Sequence, residues 1–243
     1  MSRPIICLDA GHGLYTKGKE VTLSGYERTK EWWLNDRIAD KLEKMLSSYD
    51  CRVLRADDTT GKNDVALADR VKVANNGNAD IYISIHHNAG INGGSGGGTV
   101  VYHYTGNEAE AQRLADAIIN ETGLKGNRSK SIANGKGLYV IRKVKPISLL
   151  IENGFMDSKT DVPILLTEAH AQKTAQGILN FLVRELSLKP LYSNTSQNTS
   201  VKEEVKMTYK VQCGAFSVKK NAEALQKKLK ADGYNAVIKA EPF

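Results

Sequence analysis

Two histidines and two glutamates in this chain have the types and neighbours that hydrolytic metal chemistry requires. His12 lies in Leu8-Asp9-Ala10-Gly11-His12-Gly13 and His86 in Ile83-Ser84-Ile85-His86-His87-Asn88, each shortly after an apolar run. A hydrolytic zinc takes neutral imidazoles and a carboxylate, three protein ligands in all, and keeps a fourth position for a water whose pKa falls toward ~7. His12, Glu31 and His86 meet that demand in type. Gly11 and Gly13 let the backbone beside His12 approach closely. His86 ends a strand-like run, and ligands collect at strand carboxyl ends in open α/β sheets. Glu31 precedes Leu34 by three residues and Ile38 by seven, which on a helix puts it on their inward face. A carboxylate there carries a desolvation cost unless it is paired or metal-bound.

Spacing alone leaves alternatives open. Glu20 and Glu27 are other carboxylates for the same place, and a lone histidine after a strand can be a hydrogen-bonded structural residue. His87, His103 and His170 are read as structural. Glu152 adds a fourth group, because it ends the apolar run Ser148-Leu149-Leu150-Ile151, where an acid does not serve solubility. Its simplest role is a salt bridge to a lysine or arginine. Its chemical role would be to take a proton from an attacking water and deliver it to a leaving amine, with burial raising its pKa toward the useful range.

These residues need a scaffold, and the pattern predicts an α/β fold: a twisted, largely parallel sheet flanked by helices. Strands are expected at Ile5–Leu8, Cys51–Arg55, Ile81–Ile85, Thr99–Tyr104, Gly137–Arg142 and Ile147–Ile151. Helices are expected from about Glu27 to Leu46, with Leu34, Ile38, Leu42 and Leu46 inward, at Glu108–Thr122 and at Glu168–Leu186. A further helix should be capped by Asp64, bury Leu67, Val71 and Ala74, and stop at Asn75-Asn76-Gly77. The glycine-rich stretch Gly90–Gly98 reads as a flexible loop able to move near His86.

Composition bounds the rest. The chain has 243 residues, 41% of them hydrophobic, enough for one α/β domain and something smaller. Of the net charge of +7, residues 1–186 supply 24 basic and 22 acidic groups and residues 187–243 supply 10 and 5, so the excess lies in the tail. A basic tail suits an anionic partner or simply a solvated lysine-rich surface. Cys7, Cys51 and Cys213 are odd in number and form no CxxC pair, so neither a disulfide framework nor a cysteine zinc site is indicated. No apolar run approaches the ~20 residues of a spanning helix. Nor does Met1-Ser2-Arg3-Pro4 open a secretory leader, so release by lysis, by a holin-type route or by non-classical export is expected.

The run Asp9-Ala10-Gly11-His12-Gly13, Glu31 four before Asn35, the run Ser84-Ile85-His86-His87-Asn88-Ala89 and the run Pro146 to Phe155 around Glu152-Asn153-Gly154 resemble the zinc-dependent N-acetylmuramoyl-L-alanine amidases of the "amidase 3" type, which include autolysins and phage endolysins. The resemblance spans residues 3–186. It implies one zinc on His12, Glu31 and His86, a catalytic Glu152, and cleavage of the amide between N-acetylmuramic acid and the L-alanine of the peptidoglycan stem. The family usually has a small or apolar residue where this chain has His87, which leaves His87 as the alternative to His86. Tyr209 to Ser217, Asn221 to Leu225 and Gly233 to Val237 resemble the opening half of a SPOR repeat, a glycan-binding βαββαβ unit. The domains expected are therefore a catalytic domain at 1–186, a polar linker at 187–207 and a small βαβ fragment at 208–243 that resembles a wall-binding segment. Peptidoglycan is the expected partner, without nucleic acid or membrane insertion. The rival readings are another zinc peptidase or deacetylase, and a wall-binding protein without catalysis.

Overall fold

The computed structural model describes residues 3–191, 219–231 and 238. The chain divides into two units, Met1–Asn194 and Thr195–Phe243. In the first, strands β1 (Ile5–Ala10), β2 (Arg52–Arg55), β3 (Ile81–Asn88), β4 (Thr99–His103), β5 (Ile132–Asn134) and β6 (Ile147–Phe155) form one sheet in the order β2-β1-β3-β6-β4-β5. Every neighbouring pair is parallel except β4 with β6. The helices are α1 (Glu31–Leu46), α2 (Leu67–Asn76), α3 (Glu108–Thr122), α4 (Tyr139–Lys143), α5 (Val162–Leu165) and α6 (Glu168–Glu185).

Central strands are apolar along their length because both faces are covered. Side chains alternate across the sheet, so Ile81, Ile83 and Ile85 join Ile38 and Leu42 of α1, Leu114 and Ile118 of α3 and Ile178 and Leu182 of α6 in one core. Tyr82 points the other way, into a second core with Cys7, Ala74 of α2, Val140 and Ile141 of α4, and Leu150. Cys7 and Cys51 are buried free thiols, and burial pushes the Cys7 thiol up to about 12.

Several elements depart from the sequence reading, each for an identifiable reason. Helix α1 starts at Glu31 rather than near Glu27, because Glu20 bridges Lys30 in the backbone and its carboxylate pairs with Arg28 and Lys30, closing that stretch into a loop. Asp64 does not cap α2. Ala66 is the N-cap without a side-chain bond, Leu67 is exposed, and the Asp64 carboxylate binds Arg70 and Thr16 instead. The expected strand at Gly137–Arg142 is α4, and the edge strand is β5; short apolar runs do not distinguish the two conformations by pattern.

Strands β3 and β6 run on to Asn88 and Phe155, so His86 and Glu152 lie within strands rather than after them. The Gly90–Gly98 loop is pinned. Asp157 accepts from the Gly90 and Asn92 amides, Thr160 from Gly96 and Asp161 from Gly98. The segment after Leu186 begins packed rather than as linker: Leu188 is buried, and Lys189 and Ser48 carbonyls accept from Asp50 and Leu191. In the second unit, helix α7 (Lys219–Ala231) is described, whereas the two strands expected around it and Cys213 lie outside the described residues.

Helices α3 and α6 meet at Gly177, where an added Cβ would stand 2.7 Å from the Ile118 Cα and 2.9 Å from the Ala117 carbonyl oxygen. Alanine gains up to ~1 kcal/mol of helix propensity over glycine, but overpacking against backbone costs about 1–3 kcal/mol. Gly177→Ala should therefore lower the thermal midpoint followed by circular dichroism, and a raised midpoint would show that the two helices can separate freely.

Candidate metal centre

Four separate elements deliver the site to the carboxyl ends of β1, β3 and β6. His12 follows β1 in a tight turn, with φ of 67°. This left-handed backbone is uncommon for a residue with a side chain. Gly11 has no substitute here, because a Cβ on it would lie 2.0 Å from the His86 ring, which rests against its backbone. Glu31 enters from the first turn of α1 and is 1% exposed.

These groups converge. Glu31 Oε1 lies 3.0 Å from His86 Nδ1 and 3.3 Å from His12 Nε2, and one ligand atom from each residue falls within 4.8 Å of the others. The two imidazoles meet edge to face, with centroids 4.9 Å apart. Burial alone would raise the Glu31 pKa, but hydrogen bonding and charge from His12 and His86 outweigh it and hold the carboxyl well below its usual range. Burial likewise works against protonated His86, and Glu31 overcomes it, so its pKa is raised.

Glu31 Oε2 is buried without a hydrogen bond among the described residues, with Lys19 Nζ at 4.0 Å. Two imidazole nitrogens, one carboxylate and an unsatisfied buried oxygen fit a divalent cation of the zinc type. Among the described residues this is the one such grouping of three histidine, cysteine or acidic side chains.

Glu152 is the register partner of His86 across β3 and β6, so both side chains leave the same face of the sheet. Its Oε2 is also buried and without a hydrogen bond among the described residues. Burial, aided by the Glu31 charge, pushes its pKa up to about 7 against the opposing pull of His86 and Lys19. A cleft of about 470 Å³ opens beside His12 and His86, walled by Leu138, Tyr139 and Val140.

The remaining candidates go elsewhere. Glu20 is held by Arg28 and Lys30, and Glu27 is exposed. His87 turns its ring to the opposite face, where Nδ1 lies 2.8 Å from Asn35 Oδ1, while its backbone amide donates to Glu31 Oε1. His103 Nδ1 lies 2.9 Å from the Tyr104 carbonyl oxygen. Lys19 and Arg70 were not singled out in the sequence, and Asn35 only as part of the motif that carries the resemblance. The signal for Arg70 was a charge on the inward side of α2 beside Val71, since the residue is only 2% exposed.

Fold and site together define an α/β enzyme domain with a candidate metal centre at its strand ends. The family model for N-acetylmuramoyl-L-alanine amidase matches residues 6–184, and that for the SPOR domain matches residues 206–242. The chain belongs to the N-acetylmuramoyl-L-alanine amidase family: it is a hydrolase of the amide that joins N-acetylmuramic acid to L-alanine in peptidoglycan.

It is 31% identical over 235 residues to the sporulation-specific N-acetylmuramoyl-L-alanine amidase of Bacillus subtilis, covering 96% of this chain and 83% of that one. Identity to the amidase CwlM of Bacillus licheniformis is 32% over 237 residues, with the same shares covered. Among solved structures, the N-acetylmuramoyl-L-alanine amidase of Clostridium difficile 630 superposes with a TM-score of 0.67 at 29% identity, over 76% of this chain and 98% of that chain.

Two outcomes follow. Gly11→Ala should displace the His86 ring and weaken divalent-metal binding at least tenfold in a titration, with the far-ultraviolet spectrum unchanged; equal affinity would mean the ring has room to move. His170, buried on α6 near His87, has its pKa pushed down to about 4 from its ordinary 6.5, by burial first and by Arg37 second. The unfolded chain therefore binds a proton between those values that the folded one refuses, so stability present above pH 6.5 is lost as pH falls toward 4, by up to roughly 3 kcal/mol. His170→Gln should flatten that slope in melts between pH 4 and 7, and an unaltered slope would assign the acid sensitivity to other groups.

Proposed function

We propose that this amidase works through one zinc held by His12, Glu31 and His86, with Glu152 as the proton carrier. The observation that carries the reading is the convergence of two imidazoles on a buried glutamate whose second oxygen lacks a hydrogen bond among the described residues, with a second buried glutamate across the strand pair. When bound, zinc supplies Lewis acidity at the scissile carbonyl and lowers the pKa of water toward ~7.

The chain's own residues supply the rest. Glu152, with its pKa near neutrality, takes the proton of the attacking water and passes it to the departing L-alanine nitrogen. Glu31 keeps its negative charge throughout, because His12 and His86 stabilise its ionised form. The cleft beside His12 and His86, lined by Leu138, Tyr139 and Val140, is where the scissile amide would enter.

We further assign residues 1–186 to catalysis, 187–207 to a connecting role and 208–243 to binding of wall glycan, the last supported by the SPOR match over residues 206–242. The site of action is the bacterial cell wall.

Glu152→Ala should retain zinc and wall binding but release new L-alanine amino groups from purified walls about 10²–10⁴-fold more slowly. Unchanged lysis would remove Glu152 from the mechanism. Zinc removal by a chelator should abolish release in the wild type and readdition restore it; activity persisting after complete removal would sink the metal reading.

A further inference from the structure

We propose that Arg70 is a positioning residue for the metal centre, a buried guanidinium that fixes the turn aiming His12 at Glu31. The inference rests on the metal reading above, and its observations are independent of Glu152. Arg70 reaches from α2 across the second core to the end of β1. All five of its N–H groups are used. Nε donates to the Val65 carbonyl at 2.8 Å, Nη1 to the Ala10 carbonyl at 2.9 Å and to Asp9 Oδ1, and Nη2 to the His12 carbonyl at 3.0 Å and to Asp64 Oδ1 at 3.1 Å. The two carbonyls it grips therefore flank Gly11 on either side. The Gly11 carbonyl itself accepts from Asn35 Nδ2 at 3.1 Å, and the Gly11 amide donates to the Ile85 carbonyl at 2.9 Å.

Three consecutive carbonyls are thus held by two buried side chains that approach from opposite faces of the sheet. That is the segment whose backbone must keep His12 at φ of 67°. Relaxation of the turn would swing the imidazole away from Glu31, because a left-handed backbone is unfavourable for a residue with a side chain unless its surroundings fix it.

The guanidinium is itself immobilised. Its counter-ion Asp9 is 1% exposed and accepts from the Tyr82 hydroxyl and from Ser84 Oγ, so the acid cannot turn aside. On the outer side, Asp64 Oδ2 accepts from Thr16 Oγ1 at 2.7 Å, and Thr16 Oγ1 accepts from the Gly13 amide at 3.0 Å, closing the loop beyond His12 onto the same clamp. A planar fork spans carbonyls two residues apart; a lysine ammonium, a compact point donor, does not.

The test uses the full chain and zinc alone as ligand, with affinity measured by competition against a chelator and fold stability by thermal melts in the metal-free state. Arg70→Lys should lose at least tenfold in zinc affinity. Gly177→Ala serves as the structural control: it strains the contact of α3 with α6, touches neither Asp9, Arg70 nor the three carbonyls, and should change affinity less than threefold even as its midpoint falls. Should Arg70→Lys not fold, Asp64→Ala loosens the guanidinium from its half-exposed end, with an expected loss of at least threefold.

Zinc affinity within twofold of wild type in folded Arg70→Lys, or in Asp64→Ala where that variant stands in, overturns the clamp. So does a loss in Gly177→Ala as large as that in Arg70→Lys, which would mark general destabilisation. A wild-type chain that binds no zinc at all overturns the metal reading, and the clamp with it.

Discussion

The site turns on one buried carboxylate. Glu31 sits at the start of a helix, out of water, and retains its charge because two imidazoles lie against one of its oxygens. An uncompensated ion in such a place would cost several kcal/mol, so the fold must bring both histidines to it from distant parts of the chain. One comes from the turn after β1 and the other from β3, and these strands are neighbours in the sheet. The loop from Lys19 to Lys30 folds back on itself by its own ion pairs, which sets where α1 begins and hence where Glu31 stands.

Strand alternation then separates two kinds of work on adjacent residues. His86 and Glu152 leave the sheet on one side, whereas His87 leaves on the other and secures Asn35 of α1. A shift of register by one residue between β3 and β6 would exchange these roles, and the apolar residues before them would change cores at the same time. Packing of Ile81, Ile83, Ile85, Leu149 and Ile151 in the main core therefore maintains the alignment of the polar residues that follow them.

Much of this was legible before any coordinates. Apolar runs placed β1, β3 and β6, and the four-residue spacing from Leu34 to Leu46 gave the buried stripe of α1, because burial on one or both faces leaves a periodic trace. The convergence of His12, Glu31 and His86 was expected from residue type, strand position and resemblance, though distances were not. What stayed hidden depended on competition between partners. Asp64 had the chemistry of a helix cap, and Arg70 together with Thr16 claimed it instead. Lys30 fell inside the expected helix and Glu20 was an alternative carboxylate to Glu31, until the two paired with each other and closed that stretch into a loop. The stretch from Leu138 to Ile141 is too short for its period to speak, and its packing against the sheet decided for helix. The glycines at 90–98 suggested mobility, but the acids that pin them lie more than sixty residues away in the chain.

That pinned loop has a consequence for how the domain can be altered. It leaves β3 and enters the antiparallel β4 at the same end of the sheet, passing over the end of β6 without needing a helix to return it to the opposite edge. Its anchors to Asp157, Thr160 and Asp161 hold the stem; at Gly90 and Gly93 an added side chain would meet nothing within 4 Å, although φ of 117° and 75° strains any residue but glycine there. The loop thus works as a fixed bracket with an open face. Change at the exposed Asn92 and Ser95 would enter neither core, and this gives the fold a place to vary its surface at the strand ends while the candidate site keeps its geometry.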